Sequence, residues 1–158
     1  MRRTALRVAV VITAGLVLAG CASGDAETPE PPQGPNGYSL AANSADGSTL
    51  WWDRSEESGL TDLILEDPDG RFLASCLGAG PLLCIEGPEA SKGVLVIAPA
   101  GAERAVMGWF GQEFELTRGE DLPADAPPVF VGVMPPVLPE GTFTLQVLDG
   151  AGAVIMAQ

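Results

Sequence analysis

This sequence predicts an all-β fold, an antiparallel β-sandwich or a small barrel, and three observations predict it. From about Tyr38 to Gln158 the chain is a succession of short apolar runs divided by Gly, Pro and Asp. Several runs alternate in the two-residue period of a half-buried strand, most clearly Thr142-Phe143-Thr144-Leu145-Gln146-Val147, where Phe143, Leu145 and Val147 share a face. No stretch carries a helical repeat of useful length.

Taken in order, strands are predicted over 48–54, 61–66, 71–77, 82–86, 93–98, 105–110, 112–117, 129–134, 142–148 and 153–157. In 112–117, Phe114 and Leu116 alternate with Glu113 and Glu115. Val94-Leu95-Val96-Ile97 is apolar on both faces and suits a central strand covered on each side. Turn chemistry supports hairpins at Asp67-Pro68-Asp69-Gly70, Gly78-Ala79-Gly80-Pro81 and Asp149-Gly150-Ala151-Gly152. The loop 119–128, acidic and rich in proline, is the least regular internal segment, and Met134-Pro135-Pro136-Val137-Leu138-Pro139 is a stiff connection. The stretch Leu138-Pro139-Glu140-Gly141-Thr142-Phe143 through Asp149-Gly150 is similar to the closing hairpin of many immunoglobulin-like domains, which bears on fold class only.

Three segments precede or make up this pattern: 1–20, 21–37 and 38–158. The first opens with Arg2, Arg3 and Arg7 and no acid, then runs apolar from Val8 to Gly20. As a helix that run spans about 20 Å, short of the ~30 Å hydrocarbon core, so it suits a signal segment better than a permanent span. Leu18-Ala19-Gly20-Cys21 closes it. These residues resemble the lipobox of bacterial lipoproteins. The resemblance implies that Leu18, Ala19 and Gly20 are read by the lipoprotein signal peptidase. It further implies that the Cys21 thiol takes a diacylglyceryl group and that the protein is lipid-anchored to the cell membrane, facing away from the cytoplasm. Segment 21–37, with Pro29, Pro31, Pro32, Gly34 and Pro35 and no large apolar residue, reads as a tether. Segment 38–158 is long enough for one domain with a real core.

The chain has 8 Lys and Arg against 21 Asp and Glu, a formal net charge of -13. Beyond the signal segment the basic residues are Arg54, Arg71, Lys92, Arg104 and Arg118. That balance repels phosphate backbones and anionic headgroups, which argues against nucleic acid and for a solvated surface. Histidine is absent, which removes Ser-His-Asp and Cys-His catalysis and histidine-ligated zinc. Lys92 is the single lysine and follows Ser91 directly, outside the spacing of a serine-lysine acyl-transfer site. Carboxylate pairs are available by residue type. A glycoside-cleaving site also needs a cleft, one acid held protonated and aromatic walls, and aromatics are few.

Cys76 and Cys84 are the remaining cysteines, and in an exported segment they are expected to form a disulfide across the Gly-rich turn, with 71–77 pairing to 82–86. A redox-active pair is the alternative, without the C-x-x-C spacing to support it. Asp67 and Asp69 partly match a calcium loop, while Pro68 and Gly70 fit a β-turn better. In Trp51-Trp52 successive side chains face opposite ways, so one indole enters the core. The outer one, with Trp109-Phe110 or Tyr38, either contacts a ligand or partner or lies under a loop or the tether. The expectation is a non-enzymatic envelope lipoprotein without cofactor, whose β-domain binds or spaces an envelope protein or glycan. The alternatives are a small-molecule or calcium-sensing module and a small carboxylate-dependent hydrolase.

Overall fold

The computed structural model describes residues 34–137 and 141–158. The segment read as a signal, Cys21 and most of the segment read as a tether lie outside them, as do Leu138, Pro139 and Glu140. The described residues form twelve strands: β1 (Ser39–Asn43), β2 (Thr49–Arg54), β3 (Thr61–Glu66), β4 (Phe72–Gly78), β5 (Leu82–Glu86), β6 (Lys92–Ile97), β7 (Ala102–Trp109), β8 (Gln112–Glu115), β9 (Thr117–Arg118), β10 (Val129–Met134), β11 (Phe143–Asp149) and β12 (Val154–Ala157). They form three antiparallel four-stranded sheets, ordered β1-β2-β3-β4, β5-β6-β10-β9 and β12-β11-β7-β8, here called A, B and C. The all-β sandwich class is as predicted, and among the described residues no sheet closes into the alternative barrel.

Sheet B is the middle layer. Leu95, Ile97, Val129 and Val131 belong to the core shared with Leu50, Trp52, Leu63 and Leu65 of sheet A. Their chain neighbours Val94, Val96 and Phe130 belong to a second core with Met107, Trp109, Leu145 and Val147 of sheet C. The unbroken apolar run 94–97 therefore has the covering on both faces that its composition predicts. Two glycines let the layers approach. A Cβ on Gly93 would sit 2.6 Å from the Ala74 Cβ of sheet A, and one on Gly132 would sit 2.7 Å from Leu116 Cδ2.

The hairpins β3–β4 and β11–β12 repeat one device. The Asp67 carbonyl accepts the Gly70 amide at 2.9 Å, and its Oδ1 accepts the amides of Asp69 and Arg71, both at 2.9 Å. Asp149 does the same with Gly152, Ala151 and Ala153. Gly70 and Gly152 take φ of 75° and 82°, a left-handed conformation that suits glycine.

Three sequence expectations need correction. Strand β1 was not expected, because Ser39-Leu40-Ala41-Ala42-Asn43 lacks the β-branched and aromatic residues that mark strands. The single strand expected over 112–117 is two, since the chain bends at buried Leu116 and passes from sheet C to sheet B. Strands bend this way where they switch sheets. Finally, the segment 78–81 does not close a paired hairpin: β4 pairs with β3 and β5 with β6, so this turn is a corner between sheets A and B.

Candidate functional site

Cys76 and Cys84 are bonded, with S–S 2.07 Å and Cα–Cα 5.6 Å. Because their strands lie in different sheets, the bridge fastens A to B across the corner and is not a cross-strand link inside one hairpin. Both half-cystines pack into the A–B core, which makes the bridge structural in setting. Leu18, Ala19, Gly20 and Cys21 lie outside the described residues.

The three tryptophans do not share a patch. Trp52 points inward and belongs to the A–B core. Trp51 faces out from sheet A, where its Nε1 donates to Glu66 Oε2 at 2.7 Å. Gly34 lies so close over the Trp51 ring that an added Cβ would overlap it. That closeness arises because Gly34 to Tyr38 fold back as a 3-10 turn at Pro35–Gly37, closed by the Gly34 amide on the Tyr38 carbonyl at 2.7 Å. Tyr38 anchors the turn: its hydroxyl donates to Asp62 Oδ2 at 2.6 Å. That bond, followed by burial and the charges of Asp62 and Asp53, pushes the phenol up to about 12. The outer indole is thus covered by the end of the segment read as tether. Trp109 is 2% exposed in the B–C core, donates to the Pro135 carbonyl at 3.0 Å, and contacts Phe110 edge-on at 5.1 Å and Phe143 in a stack at 6.0 Å.

Asp67 and Asp69 form the turn rather than a cation loop. Asp67 spends Oδ1 on backbone amides, and Asp69 Oδ2 accepts from Arg71 Nη1 at 2.7 Å. Among the described residues no three His, Cys, Asp or Glu converge as metal ligands.

What the fold does assemble is a cleft of about 420 Å³ lined by Trp52, Arg54, Ser55, Glu56, Gly59, Pro123 and Asp125. Arg54 Nη1 donates to the Asp125 carbonyl at 2.9 Å and meets its Oδ2 at 3.4 Å, joining the β2–β3 turn to the loop 119–128. Trp52 is 8% exposed, and its Nε1 is buried without a partner among the described residues. Such a donor costs free energy on the order of 1–3 kcal/mol when unpaired. The cleft therefore offers an aromatic edge, one guanidinium and two carboxylates, a set suited to holding a small polar molecule. Asp125 has an 85% exposed side chain and faces Arg54, not the apolar wall that glycosidic cleavage uses. Of this cleft, sequence reasoning identified Trp52 alone. Arg54 and Asp125 are 71 residues apart and carry no local motif.

Among the described residues no helix is long and apolar enough to cross a membrane. Compared with known proteins, the chain matches no family model, no curated protein and no solved structure.

Proposed function

We propose that this chain is a lipid-anchored envelope protein, tethered through Cys21 and displaying a non-enzymatic β-domain that contacts or spaces an envelope protein or glycan outside the cytoplasm. The observation that carries the proposal is Leu18-Ala19-Gly20-Cys21 at the end of a basic-then-apolar leader. The Cys76–Cys84 disulfide supports it, because such bonds persist in oxidising, exported compartments. The strongly acidic composition supports a domain that stands off an anionic membrane surface. Two acyl chains on one cysteine supply the double signal that stable anchoring takes. A second reading, capture of a small polar ligand by the displayed domain, is favoured by the Trp52–Arg54–Asp125 cleft.

Growth with radiolabelled palmitate, followed by mass analysis of the N-terminal peptide, tests the anchor. The expected result is label on the wild-type chain with a mature N-terminus at Cys21, and none on Cys21→Ser. An unlabelled chain with a free Cys21 thiol, or one cleaved elsewhere, rules the anchor out.

A further inference from the structure

Sheet edges expose unpaired backbone amides and carbonyls, and stable proteins guard them. In sheets A and B the edges meet: β4 turns into β5 at the disulfide corner, and the Glu120 amide just past β9 donates to the Ala41 carbonyl of β1 at 3.0 Å. In sheet C, β12 is irregular, its register shifting between Val147 and Leu148 of β11. Edge β8 differs from all of these. It pairs with β7 without a register shift, from Gln112 opposite Trp109 to Glu115 opposite Val106, and among the described residues no strand lies beyond it.

Two hydrogen bonds fix which groups of β8 are free. The Leu116 amide donates to the Ala105 carbonyl at 2.9 Å, so Ala105, Met107 and Trp109 turn their backbone groups towards β8. The Phe110 amide donates the other way, to the Thr142 carbonyl at 3.0 Å, as strand alternation requires. Gln112 and Phe114 therefore bond to β7, and the amides and carbonyls of Glu113 and Glu115 point outward.

Side chains at this edge alternate as well, and each face holds a cavity. Phe114, opposite buried Met107, is on the core face. There Trp109, Phe110, Gln112, Pro135 and Pro136 line an apolar hollow of about 160 Å³. Phe110 forms its wall from a left-handed φ of 49°, a strain that a bulky residue rarely carries. Glu113 is on the outer face opposite Gly108, where it lines a polar cavity of about 550 Å³ with Gln112, Thr142 and Thr144. Glu115 shares that face and is held by Arg104 at 2.7 Å, whereas Glu113 has no paired cation among the described residues.

We propose that β8 is a docking edge for an extended segment of a partner protein in which basic and apolar residues alternate. The segment adds antiparallel to β8 as a fifth strand of sheet C. Its residues opposite Glu113 and Glu115 are Lys or Arg and exchange backbone hydrogen bonds with them. The residues opposite Gln112 and Phe114 turn apolar side chains towards the hollow beside Trp109. Backbone bonds hold such a strand, and its alternate side chains select it. Charge chooses the occupant: a second β8 would set glutamates against glutamates, which destabilises a strand pair, and a neutral segment leaves Glu113 unanswered. The net charge of -13 draws a basic segment in at long range. The proposal rests on the reading that the displayed domain contacts a protein, and not on the lipid anchor.

The test titrates the full, isotope-labelled chain in mild detergent with a short capped peptide of alternating lysine and valine. Binding should shift the amide resonances of Glu113 and Glu115 most and slow their exchange with solvent. Methylating the lysine backbone nitrogens, which face β8, should abolish binding, and methylating those of valine should leave it intact. A peptide with glutamate in place of lysine should not bind. Glu113→Lys leaves every bond to β7 in place and should weaken binding about tenfold. Glu89→Lys makes the same change of charge at an exposed position between β5 and β6 and should leave binding as it was. Absence of binding overturns the proposal, as does equal binding by both methylated peptides, or a set of shifts centred on another segment. An envelope protein cross-linked equally well by wild type and Glu113→Lys also overturns it, while leaving the broader reading of protein contact intact.

Discussion

Sheets A and C both pack on sheet B, yet they are fastened to it by different means. Sheet A is tied at its edges as well as its face: the disulfide corner holds β4 to β5, and the Glu120 amide bridges to β1. Sheet C joins B through the bend at Leu116, whose amide donates to the Ala105 carbonyl, through the exposed Arg118–Glu103 ion pair, and through buried side chains. The contrast teaches that one half of this domain adds a covalent cross-link to its buried core, whereas the other relies on burial with an exposed ion pair at its margin.

Four measurements would break or sharpen that contrast. The largest effect belongs to the half that relies on burial. Phe130→Ala, at a fully buried position between B and C, is expected to cost about 3–5 kcal/mol in denaturant unfolding. It should loosen the near-ultraviolet signal of Trp109 before that of Trp52. Simultaneous loss of both signals would show that the two cores unfold as one unit. Next comes the tied half. Replacing Cys76 and Cys84 together by Ala is expected to cost about 2–3 kcal/mol, the chain-entropy value for so short a loop. A fully unfolded variant would mean that the corner depends on the bridge for more than chain entropy.

Gly93→Ala places a methyl 2.6 Å from the Ala74 Cβ, which has no rotatable bond by which to move aside from the facing sheet. The expected cost is about 1–3 kcal/mol by overpacking, read as a lower denaturation midpoint. If stability is unchanged, sheet A can slide on B despite its ties. The smallest effect concerns the turn over Trp51. Tyr38 is the one tyrosine of the chain, so phenolate absorbance reports it alone. Its folded value is about 12 against an ordinary 10, so the protonated form is favoured by folding. The stability it contributes is complete below pH 10 and fades as pH rises towards 12. Asp62→Asn should bring the titration back towards 10, and a titration that does not move would detach Tyr38 from Asp62.

Much of this was legible in short stretches of sequence. Asp67-Pro68-Asp69-Gly70 and Asp149-Gly150-Ala151-Gly152 dictate their hairpins because an Asp oxygen and a left-handed glycine act within five residues. The strands 61–66, 82–86 and 129–134 fall where the apolar runs place them. The inward turn of one indole in Trp51-Trp52 follows from strand alternation, and the structure makes it Trp52. Strand β1 was hidden, because alanine pairs say little about strand propensity and Ala41 and Ala42 are both buried at a bulge. The Arg54–Asp125 contact was hidden for another reason: nothing local marks two residues that meet only after the chain has passed through all three sheets.

By itself, then, the sequence determined the class of fold, the main turns, the two-sided burial of 94–97 and the pairing of Cys76 with Cys84. The first three rest on interactions between near neighbours and on a two-residue period. The cysteine pairing follows from there being two candidates close in the chain. Tertiary structure decided which sheet each strand joins, that the disulfide spans two sheets, and that Gly34 covers Trp51. The physical reason is that burial of apolar surface is non-directional. It requires each strand to cover its face, and only the packing of the whole chain selects against what.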